Sequence, residues 1–401
     1  MVDILNITDN TINIYEVKSS TQLKDIYIHD VSIQYYVLKN TLEPMGYKIN
    51  SANVVHINSE YIRGDELDIN QLFKIVDVTS QVLALQKDIP NTLSMFSEVL
   101  GDKELEPNTD IGKHCNKPYE CDAKEYCWKV QRQIPEYSIF NIFNLGSKKQ
   151  IELYSRGIVN IDDVPHDFDM TANQARLVEN YKSKLTYIDV DSIKEFVQNI
   201  SYPIYHLDFE TYQQAIPQFK GIKPFEQIPF QYSLHIKYED GTCEHKEFLA
   251  QDSVDSKYDI AKKLCEDIPS DVTVLAYNMS FEKGVIKRLA SRFEEFSEHL
   301  LAINENIQNL MIPFQKKWYV TPSMNGSYSI KYVLPSLVPE FEKAYKELDG
   351  VQNGSQAMNA FARLSLLEEE EKQKLRTSLL EYCKLDTLAM VKILNKLKEV
   401  F

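Results

Sequence analysis

The chain has no apolar run long enough to span a bilayer, and its opening residues, MVDILNITDN, have neither a basic cluster nor an apolar core. Membrane spans and secretory leaders require those features, so the sequence reads as a soluble, cytoplasmic protein without a membrane partner. Positive charge is scarce: 44 Lys and Arg face 59 Asp and Glu, for a formal net charge of −15. Phosphate binding over a whole surface is built from Lys and Arg, which excludes a general nucleic-acid coat but not a local basic groove. Acidic runs such as Glu368 to Glu371 read as solvated helix face. There is no Walker-type phosphate loop, no Ser-His-Asp arrangement and no internal repeat. With no nucleotide fingerprint, redox chemistry built on the cysteines has little support. What the chain does have is apolar content, 43% of 401 residues, enough for two domains with large cores.

Its most informative stretch is Pro203 to Tyr212, PIYHLDFETY. Tyr205, Leu207 and Phe209 alternate as on a buried strand, which places Asp208 and Glu210 together on the opposite face. Like charges side by side on a core strand are costly unless a cation or a shared proton relieves them. Further on, VTVLAYNMSFEKGVIKRLA changes from strand-like to helical spacing, so Asn278, Ser280 and Glu282 fall at a strand-to-helix junction. A helix cap and a first-turn acid would account for them equally well. In LLEYCKLDTLAM, Leu379, Tyr382, Asp386 and Ala389 share one helix face, which puts an aspartate into a largely apolar stripe, where it needs a partner or a metal.

The order D-x-E on a strand, N-x-x-F-E at a helix start and Y-x-x-x-D on a late helix resembles the DEDD superfamily of 3′-to-5′ exonucleases, in its tyrosine-bearing subclass. The resemblance covers roughly Tyr202 to Phe401 and implies an RNase H-like fold. It also implies that Asp208, Glu210, Glu282 and Asp386 are metal ligands and that Tyr382 orients the attacking water. Glu282 departs from the pattern, which usually has Asp there. Hard oxygen ligands select Mg²⁺ or Mn²⁺, and a two-metal site of this kind activates water and stabilises a leaving oxygen.

Near the start, Val2, Ile4 and TINIYEVK read as two strands joined at Asp9-Asn10. Glu16 and Lys18 share a face, Asp3 lies on the neighbouring strand, and Gln34, Tyr35 and Tyr36 fall on a following helix. This resembles the PD-(D/E)XK core of RecB-like, CRISPR-associated nucleases, with Asp3, Glu16, Lys18 and Gln34 as a second nuclease-like site. That family has a helix before its first acid, whereas here Asp3 is the third residue. The expectation is therefore an N-terminally incomplete domain with weak or absent catalysis.

Cys115, Cys121 and Cys127 form C-x5-C-x5-C, and clustered thiols favour a metal or cluster over a disulfide framework. The same resemblance implies a 4Fe–4S cluster on these three, its early fourth cysteine missing; zinc or free thiols are the alternatives. Residues 137–185 read as short helices that resemble a helix-hairpin-helix-like linker, with a plain helical spacer as the alternative. QKKWYVTPSMNGSYSIK interleaves Lys316, Lys317 and Lys331 with Trp318 and Tyr328, a pattern suited to a single strand whose bases stack while its phosphates pair; Asn278 joins this set as a nucleic-acid contact. A core-filling loop with solvated lysines would show the same residues.

The expected architecture is α/β. It comprises an incomplete PD-(D/E)XK-like domain over residues 1–130, a helical linker over 131–200 and an RNase H-like domain over 201–401. As a whole the chain resembles a bacterial family of uncharacterised proteins that join these two modules. The expected function is a metal-dependent 3′-to-5′ exonuclease on single-stranded DNA or RNA, oligomeric state open. The alternative is a nucleic-acid-binding or complex-forming protein in which both nuclease folds are degenerate.

Overall fold

The computed structural model describes residues 2–104 and 106–401, and the chain is mixed α/β. Residues 1–127 and 213–226 form one compact unit, and residues 128–212 and 227–401 form the other. The 131–200 stretch, read as a linker, thus lies within the second unit, and a short excursion after the acidic strand belongs to the first. Among the described residues no helix is long and apolar enough to cross a membrane.

The first unit is built on a four-stranded sheet. Strands β1 (Ile4–Thr8) and β2 (Thr11–Lys18) form an antiparallel hairpin in which Thr8 faces Thr11. Its two-residue turn is Asp9-Asn10, with Asp9 at φ 48, a conformation that Asp tolerates better than most residues. The helix Asp25–Leu42 carries the chain across to β3 (Lys48–Ile57), which runs parallel to β2, and β4 (Phe73–Asp77) closes the sheet antiparallel. Ile12 and Ile14 point into a core with Val31, Tyr35, Ala52 and Val54. The period of two continues to Glu16, which is therefore drawn into the same buried face. The excursion 213–226 is held by Arg63, whose backbone exchanges hydrogen bonds with Gly221 and Ile222 and whose guanidinium donates to the Pro217 carbonyl at 2.8 Å.

In the second unit, β5 (Tyr187–Ile188) precedes the acidic strand β6 (Ile204–Tyr212), followed by β7 (Ile228–Lys237), β8 (Cys243–Leu249), β9 (Thr273–Ala276), β10 (Ile307–Asn309) and β11 (Tyr319–Val320). The main sheet has the order β10-β9-β6-β7-β8, with β6, β7 and β8 antiparallel and β6, β9 and β10 parallel; β5 and β11 pair separately. Alternation divides the residues of β6 between two layers. Tyr205, Leu207 and Phe209 pack against Ile260, Leu264, Val285, Ile286, Leu300 and Ile303, from the helices Lys257–Asp267, Met279–Arg292 and Glu294–Glu305. Ile204, on the other face, shares a core with Met390, Ile393 and Leu397 of the C-terminal helix Glu369–Lys398.

That helix is registered on the sheet by polar contacts. Gln231 donates to the Leu379 carbonyl at 2.8 Å, and Thr387 Oγ1 lies 2.7 Å from Ser233 Oγ and 2.8 Å from His235 Nδ1. Burial pushes His235 down to about 4 and His206 to about 3, so both are neutral struts. Phe230, fully buried, stacks on Phe361 at 4.1 Å between ring centroids. Phe230→Ala is expected to cost about 3–5 kcal/mol of unfolding free energy, measured by denaturant titration, because it leaves a cavity and a half-stack behind.

The 137–185 stretch forms the helices Gly146–Ser155 and Ala172–Ser183 around Ile139, Ile142, Leu153, Ile161 and Val178. Gly146 and Gly157, at φ 73 and 76, make the tight entry and exit of the first helix.

Candidate active site

Four acids from three elements line one cavity of about 290 Å³: Asp208 and Glu210 from β6, Glu282 from the helix Met279–Arg292, and Asp386 from the C-terminal helix. Asn278, Lys331 and Tyr382 line it as well. One carboxylate oxygen from each of Asp208, Glu210 and Asp386 lies within 4.8 Å of the other two. Among the described residues this is the one group of three or more acidic, His or Cys side chains gathered so closely. Glu282 stands outside that group, yet it is only 3% exposed, and its Oε2 is buried without a hydrogen-bond partner.

Local geometry explains the convergence. The β6 pleat puts Asp208 and Glu210 on the face that the C-terminal helix covers, and the Thr387 contacts hold Asp386, one residue earlier, over that face. Glu282 sits in the first turn of its helix, and Asn278, at the cap position, makes no side-chain capping bond and lines the cavity.

The electrostatics are those of crowded, desolvated carboxyls. Burial, reinforced by Asp386, Glu282 and Glu210, holds the Asp208 carboxyl well above the usual range. Burial and the Asp386 charge raise Glu210 to about 8, and burial alone raises Glu282 to about 8. Burial also raises Asp386, but only to about 6, because hydrogen bonds from Tyr345 and Tyr382 and the charge of Lys331 oppose it. The Tyr345 hydroxyl donates to Asp386 Oδ1 at 2.7 Å, and the Cys383 thiol lies 3.7 Å from Asp208 Oδ2. The donor set is entirely hard oxygen, which fits Mg²⁺ or Mn²⁺ better than zinc.

Sequence spacing missed two of these neighbours. Cys383 follows Tyr382 and shares a buried stripe with Thr387 at i+4, so helical spacing alone could have flagged it. Tyr345 lies in a turn-rich stretch between Phe341 and Gly350 with no periodic pattern, and only the tertiary fold brings it to Asp386. Tyr345→Phe is expected to lower metal affinity or the metal-dependent rate about 10- to 100-fold, the usual cost of losing a ligand's supporting hydrogen bond. Titration with Mn²⁺ measures it, and an unchanged affinity and rate would refute the supporting role.

The lysine-aromatic segment is divided. Lys331 is exposed at the acidic cavity and Lys316 is exposed elsewhere. Lys317, expected at a phosphate, is instead 2% exposed: its ammonium donates to the Gly326 carbonyl at 2.9 Å and lies over the Phe143 and Tyr328 rings. Burial lowers its pKa to about 8. Trp318 and Tyr328 pack against the core that contains Val333 and Leu334 instead of standing free to stack on bases.

In the first unit, Lys18 Nζ bonds Glu16 at 2.6 Å and Asp30 at 2.7 Å, and Gln34 donates to Glu16 Oε2 at 2.7 Å. Asp30 was not anticipated, although it lies one helical turn before Gln34. Asp3 does not join this group through its carboxylate; its Oδ2 accepts the Val17 backbone N–H at 2.8 Å and so extends the hairpin ladder. Cys115 is buried, Cys121 exposed and Cys127 partly buried, and the three do not form a close ligand group among the described residues.

A family model described as a domain of unknown function, DUF2779, matches residues 205–329, a stretch that includes Asp208, Glu210 and Glu282 and ends before Asp386. An uncharacterized protein of Ureaplasma parvum serovar 3 is 25% identical over 236 residues, covering 55% of this chain and 34% of the relative. The chain thus matches about a third of the length of that curated relative. No solved structure matches the chain.

Proposed function

We propose that the second unit is a metal-dependent phosphodiesterase acting as a 3′-to-5′ exonuclease on single-stranded DNA or RNA, with an RNase H-like fold. The observation that carries this reading is the convergence of Asp208, Glu210 and Asp386 to within 4.8 Å, beside the unpartnered buried Oε2 of Glu282. Burial without counter-charge is costly for so many acids, and divalent cations between them relieve it. Asp208, Glu210 and Asp386 would hold the metal, with Glu282 completing the set. Bound there, Mg²⁺ or Mn²⁺ supplies an activated water and stabilises the leaving oxygen of a phosphodiester. Tyr345 and Tyr382 keep Asp386 ionised and oriented, and Lys331 places a positive charge where the substrate phosphate enters.

The exonuclease polarity and the fold assignment rest on the motif resemblance; the sheet with two acids on its middle strand supports the latter. The position of Glu282 outside the close group favours a second reading, a nucleic-acid-binding protein with a degenerate site. Single-stranded DNA and RNA labelled at either end, incubated with Mn²⁺ or Mg²⁺, separate the two. Stepwise shortening from the 3′ end, abolished by Asp208→Asn and kept by Lys18→Ala, supports the exonuclease. Loss only in Lys18→Ala would transfer the chemistry to the first unit, and binding without cleavage would favour the degenerate site.

A further inference from the structure

A second cavity, of about 470 Å³, lies in the same unit as the acidic one. Its walls include Glu136, Tyr137, Phe143, Asn325, Tyr328 and Tyr332. Two connections tie it to the acidic site. On the helix Ile330–Leu337, Ile330 and Lys331 line the acidic cavity, and the next residue, Tyr332, lines this one. Consecutive helix residues point about 100° apart, so one turn of backbone serves both. The second tie is Tyr277, which lines the acidic cavity and donates its hydroxyl to the Tyr328 carbonyl at 2.6 Å.

The walls are preformed. Gly326 sits at φ 68, and a Cβ there would come within 2.7 Å of the Tyr137 hydroxyl, so only glycine lets that ring close the wall. The buried Lys317 ammonium pins the Gly326 carbonyl and the Phe143 and Tyr328 rings from behind. Phe143 meets Tyr328 edge-on at 5.4 Å, and Tyr137 leans on Tyr181 at 5.0 Å. Tyr332 differs from these braced rings: it is 45% exposed at the rim and has a face to offer. A braced aromatic pocket of this size with a few polar groups has the makeup of a small-ligand site.

We propose that this cavity receives an unpaired base of the strand whose phosphate is engaged at the acidic site, with Tyr332 stacking on the base and Glu136 accepting from its N–H edge. This rests on the nuclease reading of the second unit and adds how the strand is held. Stacking tolerates any base because every base has a π-face, so the cavity takes DNA and RNA alike and confers grip without sequence choice. It replaces Lys317 and Trp318 as the expected strand contacts, since both are committed to packing.

The test uses the full chain carrying Asp208→Asn, so that no strand is cut, with short single-stranded DNA and RNA containing one abasic nucleotide at successive positions from the 3′ end. Fluorescence anisotropy is expected to show one position, the same in every sequence, at which the abasic strand binds about 5- to 150-fold more weakly. That penalty disappears when Tyr332→Ala is added and persists with Tyr332→Phe, which keeps the ring; Tyr332 is exposed enough that folding is not at stake. Equal affinity for every abasic strand, or a penalty that survives Tyr332→Ala, overturns the base site and leaves the nuclease reading intact. A chain that binds none of these strands, and with Asp208 restored cuts none, overturns both.

Discussion

Asp208→Asn is expected to lower metal-dependent cleavage by at least about 10³-fold, and at the same time to make the metal-free chain more stable at pH 8. The opposite signs share one cause. Asp208 is partly buried on β6 with Glu210, Glu282 and Asp386 around it, and its carboxyl is held well above the usual range by desolvation and by those three charges. An amide of nearly the same shape keeps the packing and removes a carboxyl whose charged form the neighbouring acids and the partial burial disfavour. It also removes a hard oxygen donor, which leaves two acids where three converge within 4.8 Å. Initial rates on a labelled single strand measure the first effect, and thermal melting in chelator at pH 8 measures the second. A variant that cuts at the wild-type rate, or that melts lower than the parent under those conditions, would contradict this account of the site.

The second large effect is a stability that runs against pH until metal is added. In the unfolded chain, carboxyls titrate near 4. In the folded chain Asp386 holds its proton to about 6, and Glu210 and Glu282 to about 8, burial being the main cause for each. Between those values the folded state binds more protons than the unfolded state, so the unfolding free energy falls as pH rises. The contribution of these groups is complete below about pH 4 and is lost progressively through about 6 and then about 8. Mn²⁺ at about 100 times its dissociation constant restores about 2.7 kcal/mol at pH 8, or roughly 5–10 °C in melting temperature. The gain shrinks at pH 5, where protons compete for the same oxygens. Melting curves with and without Mn²⁺ at the two pH values decide the matter; an equal shift at both, or metal-free stability that rises between pH 5 and 8, would falsify the linkage.

Much of the site could be read in the chain because each part is local. Alternation along PIYHLDFETY puts Asp208 and Glu210 on one face; the change of period after VTVLAY puts Glu282 in a first helical turn; spacings of three and four put Tyr382 and Asp386 on one stripe. The Thr8–Thr11 hairpin and the Glu16, Lys18 and Gln34 grouping were readable for the same reason.

The rest depends on neighbours distant in sequence, and periodicity carries no information about those. Nothing in QKKWYV distinguishes Lys316, which is exposed, from Lys317, which is buried; the choice is made by Phe143 and Tyr328 closing over the second and by the Gly326 carbonyl accepting from it. The bond from Tyr345 to Asp386 crosses an irregular stretch, and the excursion 213–226 joins the first unit through Arg63, through the Lys220–Asp65 ion pair and through the packing of Ala215 and Phe225 near Tyr61. Asp3 shares its neighbourhood with Glu16 in sequence pattern, yet a free backbone N–H on Val17 claims its carboxylate. The sequence alone therefore determined which faces carry acids, since strand and helix periods act residue by residue. The meeting of those faces in one cavity, and the choice of which cation stays free to serve it, were decided only when sheet order and helix packing brought distant side chains into competition for the same space and the same hydrogen bonds.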